Sequence, residues 1–374
     1  METRSIYDFI TAQFKEGLPF VAYHKPNENK IKTIFLDEDE VSYTSNFTKK
    51  GFVFAPFDTT QEAIFFPGDR IMNFPLDVDE TEDFNSFDIP EDPEVKAQHI
   101  HLVEKAIATI KEKGLVKVVL SRKRTLNISH LNPAVLFKKL VATYPSAMTY
   151  CWYHPKIGLW VGATPEVLLS LKGNRFQTMS LAGTQAYAGR TEVTWGTKEI
   201  DEQQLVTDTI VRNLNTKVDQ VTVGGRQTHR AGRLLHLKTK ISGTVDVNQS
   251  GLKNLITALH PTPAVCGLPK HEAAEFILEN ENYNREYYTG FLGEINLDVK
   301  QYRSTHRRNV ENLAYTSVRS ESHLFVNLRC MQLQDNKAHV YVGGGIIAAS
   351  NPEAEWEETQ HKLSTMAVVL KSFI

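Results

Sequence analysis

The 374-residue chain is 41% hydrophobic and 23% charged, an ordinary composition for a globular protein able to bury a sizeable core. A formal net charge of −2 gives no reason to expect nucleic acid or an anionic membrane as partner. Cys151, Cys266 and Cys330 form no CxxC pair, and neither a basic apolar leader nor a membrane-length apolar run is present. Structural zinc and a disulfide framework are therefore not expected, and a cytoplasmic protein is expected.

Four short apolar runs open the chain: PFVAYH, TIFLD, GFVFAPF and AIFFPGD, each read as a strand bounded by turns. Residues 72–95 are acidic and proline-containing, which predicts a surface connector. A helix is predicted over 93–113, with Val95, Ile100, Val103, Ile107 and Ile110 along one face. KVVLSRKRTL reads as a strand, NPAVLFKKLVATY as a helix, and AMTYCWYHP and GLWVGATPEVLLSL as further strands. A second helix begins at Thr197, its predicted N-cap, with Ile200, Val206, Ile210 and Leu214 inward.

Strand-like HLKTKISGTV precedes a short helix at 252–259, and HPTPAVCGLP is a shaped loop. A helix over 270–279, the strands FLGEINL, HLFVNLRCMQL and HVYVGGGI, and a C-terminal helix complete the order. Strands outnumber helices and come in runs. The class is therefore α+β, with large, mainly antiparallel sheets.

The most informative stretch is GGGIIAASNPEAEWEETQHK, residues 343–362. It reads as a glycine-rich turn before a helix on which Glu355, Glu358 and Lys362 share a face. Ser350 with Glu353 suggests a capping box, and Pro352 suits a first turn. Paired glutamates suit a hard cation such as Mg²⁺, although the spacing alone fits a solvated acidic face better. TKEIDEQQLV offers a second pair, Glu199 and Glu202, where the helix dipole by itself favours acids. Lys117 and Arg122 in KVVLSR, Glu166 in GATPE, Gly183 and Thr184 in SLAGT and His236 in LHLKTKISG are each weak signals alone.

Taken together and in order, KVVLSR, GATPE, LAGT, KEIDEQQLV, LHLKTKISG, HPTPAVCGLPK, NREYYTG, NLRC and the glycine-glutamate stretch resemble the chorismate-utilising enzymes. That family includes the isochorismate, salicylate, anthranilate and aminodeoxychorismate synthases. The resemblance implies one α+β domain over 1–374, two sheets packed as a sandwich with helices outside and the site in a cleft. Residues 1–92 match weakly, as N-terminal strands and an acidic connector, and 94–374 form the catalytic core.

It further implies that Glu202 and Glu358 ligate Mg²⁺, with Glu199 and Glu355 beside them, partly through water. Arg329 and Tyr288 would bind the enolpyruvyl carboxylate of chorismate. Lys362, Gly343 and Gly345 would complete an anion cradle, and Gly183, Thr184 and His236 would line the ring. Lys117 resembles the general base, and Glu166 the general acid, of the water-adding members. Shifted pKa values are expected for both: Lys117 lowered by burial and nearby cations, Glu166 raised by desolvation and neighbouring carboxylates. Anthranilate synthases typically carry glutamine at the lysine position, and the aminodeoxychorismate branch a lysine where this chain has Ala182. No glutaminase subunit is therefore expected.

Ala264 resembles the isochorismate synthases, whereas Tyr288 and Leu328 are closer to the salicylate pattern. Isochorismate synthesis, serving menaquinone, is the expected activity, with salicylate synthesis as the alternative. Residues 299–323 lengthen a connection that is short in the family. Arg303, His306, Arg307, Arg308 and Arg319 there suggest contact with another pathway enzyme.

Overall fold

Most strands are buried on both faces, which is why the sequence shows apolar runs rather than alternation. A computed structural model gives the fold, and it describes residues 5–77, 87, 89–112, 114–231, 234–246, 251–301 and 317–374.

Helix α1 (Ile6–Lys15) leads into β1 (Phe20–His24), β2 (Lys30–Phe35), β3 (Tyr43–Thr44), β4 (Gly51–Ala55), β5 (Ala63–Pro67) and β6 (Met72–Pro75). Then come α2 (Pro93–Glu112), β7 (Lys117–Asn127), α3 (Pro133–Thr143), β8 (Met148–His154), β9 (Gly158–Thr164), β10 (Val167–Lys172) and β11 (Arg175–Ala186). Next are α4 (Thr197–Asn215), β12 (Gln220–Ala231), β13 (Leu234–Thr244), α5 (Gly251–Leu259), β14 (Gly267–Leu268) and α6 (Lys270–Asn280). The described chain ends with β15 (Phe291–Gln301), β16 (Ser317–Val326), β17 (Cys330–Gln334), β18 (Lys337–Ile347) and α7 (Pro352–Leu370).

These strands make two nine-stranded sheets, ordered β14-β7-β18-β17-β9-β8-β1-β2-β6 and β12-β13-β11-β10-β16-β15-β4-β5-β3. Tyr23, Tyr150, Trp152 and Trp160 of the first sheet meet Phe52, Phe54, Phe66 and Phe325 of the second in one aromatic core. Each such side chain contributes about 1.5–3 kcal/mol by leaving water. Helices α1, α3 and α7 cover the outer face of the first sheet, and α4 and α5 that of the second. Helices α2 and α6 pack at the β7–β18 end. The expected α+β sandwich with helices outside is the fold observed. No helix among the described residues is long and apolar enough to cross a membrane.

Several local expectations are corrected. Met72–Pro75 pairs with β2 as an edge strand instead of starting a connector. HLFVNLRCMQL is two strands in different sheets, and residues 327–329 carry the chain across the sandwich. Residues 343–345 lie within β18, paired with residues 119–121 of β7, and form no turn. Helix α7 is capped by Asn351, whose side chain accepts from the Ala354 amide, so Ser350 is not its cap. Helix α4 has Gly196, not Thr197, at its N-cap. The ends of the lengthened connection extend a β15–β16 hairpin, pairing Val299 with Arg319. Arg303, His306, Arg307 and Arg308 lie outside the described residues.

Candidate active site

Three glutamates gather where β18 passes α4 and α7. A Cβ on Gly345 would stand 2.5 Å from Glu202 Oε1 and 2.9 Å from Lys117 Cε. A Cβ on Gly344 would stand 3.4 Å from Glu355 Oε2 and 3.6 Å from Glu358 Oε1. Glycine is needed at 345 for close approach of side chains to the strand, not for a turn, whereas the distances at 344 are ordinary contacts.

Each carboxylate meets a lysine. Lys117 Nζ donates to Glu202 Oε1 at 2.8 Å, Lys198 Nζ to Glu355 Oε1 at 2.7 Å, and Lys362 Nζ to Glu358 Oε1 at 2.6 Å. Lys362 also donates to the Gly343 carbonyl at 2.8 Å. Burial, then the charge of Glu358, raises the pKa of Glu355. Burial is again the largest influence on Glu358, but the Lys362, Lys198 and Arg329 cations together outweigh it and hold that carboxyl below its ordinary value.

The donor set fits a divalent ion: hard carboxylate oxygens around a strand whose side-chain space is left empty by glycine. Among the described residues no three such groups yet converge on one point, because each is turned onto its lysine. Glu199 is packed against Gly183 and Gly196 and does not line the cleft.

Beside this cluster opens a cleft that several of the expected residues line. Its lining includes Glu166, Gly183, Thr184, Glu202, His236, Ala264, Tyr288, Arg329, Gly343, Gly345, Glu358 and Lys362, so most of the expected residues face one space. Lys117 lies just behind Gly345 and is 1% exposed, and Glu355 is 2% exposed behind Gly344. The charge nearest Lys117 is the Glu202 carboxylate, where cations were expected.

Arg329 sits in the crossover between sheets with φ +47°. It donates to Thr365 Oγ1 at 3.2 Å and approaches His236 Nε2 at 3.4 Å, and among the described residues it forms no salt bridge. A guanidinium that faces the cleft with no carboxylate bonded to it is suited to bind one from a ligand. Burial and the Arg329 charge push the His236 pKa well down, so the ring is neutral. Its Nδ1 lies 3.1 Å from the Gly183 carbonyl, which assigns the proton to Nδ1 and turns the Nε2 lone pair toward Arg329. Tyr288 is stacked on Tyr341 at 5.3 Å between centroids, and Tyr341 on Trp160 at 5.4 Å, giving the cleft a rigid aromatic wall.

Glu166 follows β9, where its amide donates to Thr164 Oγ1 at 3.3 Å. Desolvation raises its pKa to about 7, against the opposing charges of Lys117, Lys362 and Arg329. Its charged neighbours are cations, where carboxylates were expected, and burial alone produces the rise.

The sequence reading did not assign a role to Glu281 or Arg285. Arg285 donates to Glu281, to the Val119 carbonyl at 2.6 Å and to the Val265 carbonyl at 2.9 Å, while Glu281 accepts from the Ser121 amide at 2.7 Å. This buried pair ties β7 to the proline-rich loop and the NREYYTG turn. Its only sequence signal was two opposite charges four apart.

Comparison with known proteins identifies the family. One family model described as chorismate binding enzyme matches residues 70–300, and a second with that description matches 312–368. Isochorismate synthase EntC of Escherichia coli (strain K12) is 30% identical over 278 residues, covering 71% of this chain and 65% of EntC. Isochorismate synthase MenF of Haemophilus influenzae is 28% identical over 272 residues, covering 70% of this chain and 57% of its own length. The match thus spans less than two-thirds of either relative. The structure of the menaquinone-specific isochorismate synthase MenF from Escherichia coli superposes with a TM-score of 0.76 at 20% identity, covering 99% of this chain and 92% of MenF, and shows a shared fold. Since residues 70–300 alone are more than half of its length, the chain belongs to the chorismate binding enzymes.

Proposed function

We propose that this protein is an Mg²⁺-dependent isochorismate synthase that adds water at C2 of chorismate with loss of the C4 hydroxyl. The observation that carries the reading is one cleft joining a carboxylic acid with pKa about 7, an arginine bonded to no carboxylate and a buried lysine at its back. The names of the EntC and MenF relatives support it.

Arg329, with Tyr288, binds the enolpyruvyl carboxylate, and Lys362 with the backbone of Gly343 and Gly345 holds the other anionic end. Gly183, Thr184 and neutral His236 line the ring. Lys117, in its neutral form, takes a proton from the attacking water, whose oxygen bonds to C2. Glu166 gives its proton to the C4 hydroxyl, which leaves as water while the ring double bonds shift. Glu202, Glu355 and Glu358 would hold Mg²⁺, which when bound supplies positive charge for the ring carboxylate. Ala182 in the lining offers no nucleophilic lysine for a nitrogen-adding route. The three cysteines are buried and unpaired, in keeping with a reducing cytoplasm. Menaquinone synthesis, with a partner enzyme docking on 299–323, completes the reading.

Tyr288 and Leu328, both lining the cleft, favour a second reading, salicylate synthase. Incubation with chorismate, with and without Mg²⁺, followed by chromatography decides between the two. Isochorismate is expected, fluorescent salicylate plus pyruvate would favour the second reading, and unchanged chorismate would sink both.

A further inference from the structure

Lys198 has no part in the chemistry above, yet it stands among the three glutamates. Its Nζ is 2.7 Å from Glu355 Oε1, with Glu202 and Glu358 as the other carboxylates acting on it. The side chain of Glu355 is 2% exposed and that of Lys198 33%. One partly solvated ammonium therefore faces carboxylates that would otherwise repel one another in a poorly hydrated place.

We propose that Lys198 is a built-in counter-cation that occupies the charge position of the divalent ion and must leave when the metal binds. This rests on the metal reading above. The other two lysines are less suited to such exchange. Lys117 has a 1% exposed side chain, and Lys362 is tied to the Gly343 carbonyl as well as to Glu358. Lys198 lies in the first turn of α4, and its flexible four-carbon stem already reaches solvent. Swinging outward frees Glu355 and places the ammonium in water. Metal affinity is then weaker than the bare glutamates would give, and the metal-free protein is protected from their mutual repulsion.

Isothermal titration of the full chain with MgCl₂ tests this on wild type, Lys198→Met and Lys198→Gln. Methionine keeps the apolar stem, and glutamine keeps a hydrogen-bond donor without charge. Both variants are expected to bind Mg²⁺ roughly 3- to 10-fold tighter than wild type, the range of a partly exposed ion pair to a buried carboxylate. Their melting temperatures should fall without metal and return to the wild-type value at saturating Mg²⁺. Equal or weaker Mg²⁺ binding by both would make Lys198 a positioning group for Glu355 and overturn the proposal. No saturable Mg²⁺ binding by wild type would sink the metal reading itself, and this proposal with it.

Discussion

Glu166 keeps its proton to about pH 7 because its carboxyl is buried, and three nearby cations fail to reverse that effect. The folded value lies above the unfolded one, so stability linked to this group is full below the ordinary glutamate range and declines as pH rises toward 7. Charging it in the ligand-free protein costs about 3 kcal/mol. Glu166→Gln, which cannot ionise, is expected to gain urea midpoint over wild type at pH 8 more than at pH 5, while lowering kcat by ~10²–10⁴-fold. Lys117→Ala is expected to lose turnover by a similar factor while remaining folded by circular dichroism. In wild type kcat should decline above pH 7, where Glu166 loses the proton it donates. Near-wild-type turnover in either variant would remove that residue from the acid–base pair.

At the scale of elements, the site depends on holding β7 against the loops and helices that face it. Glu281→Gln is expected to leave Arg285 buried and under-neutralised, lowering unfolding free energy by about 3–5 kcal/mol in a denaturant titration. A loss below about 1 kcal/mol would mean that the pair is incidental to the loop's position. Arg122 does comparable work on the other face: it donates to Thr359 and Gln360 and stacks 4.2 Å over Trp356, fixing the face of α7 next to its glutamates. The strands were legible in the sequence because continuous apolar runs survive where both sheet faces are covered. The sheet-to-sheet crossing at 327–329 was not, because apolar residues continue through it and Arg329's positive φ leaves no mark in residue type. The glycines at 343–345 were read as a turn because glycine permits both turns and close approach, and only the position of Glu202 distinguishes them. Most residues named by the joint motif pattern line one cleft, while Glu199 is packed away from it and Lys117 and Glu355 lie behind its glycines. Their lysine–glutamate pairing depends on strands and helices far apart in sequence, where spacing carries no information.

Taken as a whole, the molecule is two sheets whose aromatic core is nearly dry, so a charge joining them is conspicuous. Glu294 on β15 accepts from Tyr23 on β1 at 2.8 Å, Lys32 on β2 at 2.5 Å and Lys25 at 2.6 Å, linking one sheet to the other. None of these residues lines the catalytic cleft. Burial alone would raise the Glu294 pKa, but the two ammonium groups hold it down at about 2. The folded value is below the unfolded one, so its contribution is present above the ordinary glutamate range and is lost as pH falls toward 2. The depression corresponds to about 3 kcal/mol. Glu294→Gln leaves Lys32 without a carboxylate while Lys25 keeps Glu28 at 2.9 Å, and is expected to cost about 3 kcal/mol at pH 7, with kcat per folded molecule unchanged. Because wild type alone loses this contribution in acid, the stability gap between the two proteins should narrow from pH 7 to pH 3 in urea titrations. A gap that stays constant over that range would show that the cluster does not titrate with folding, and that the aromatic core alone holds the sheets together.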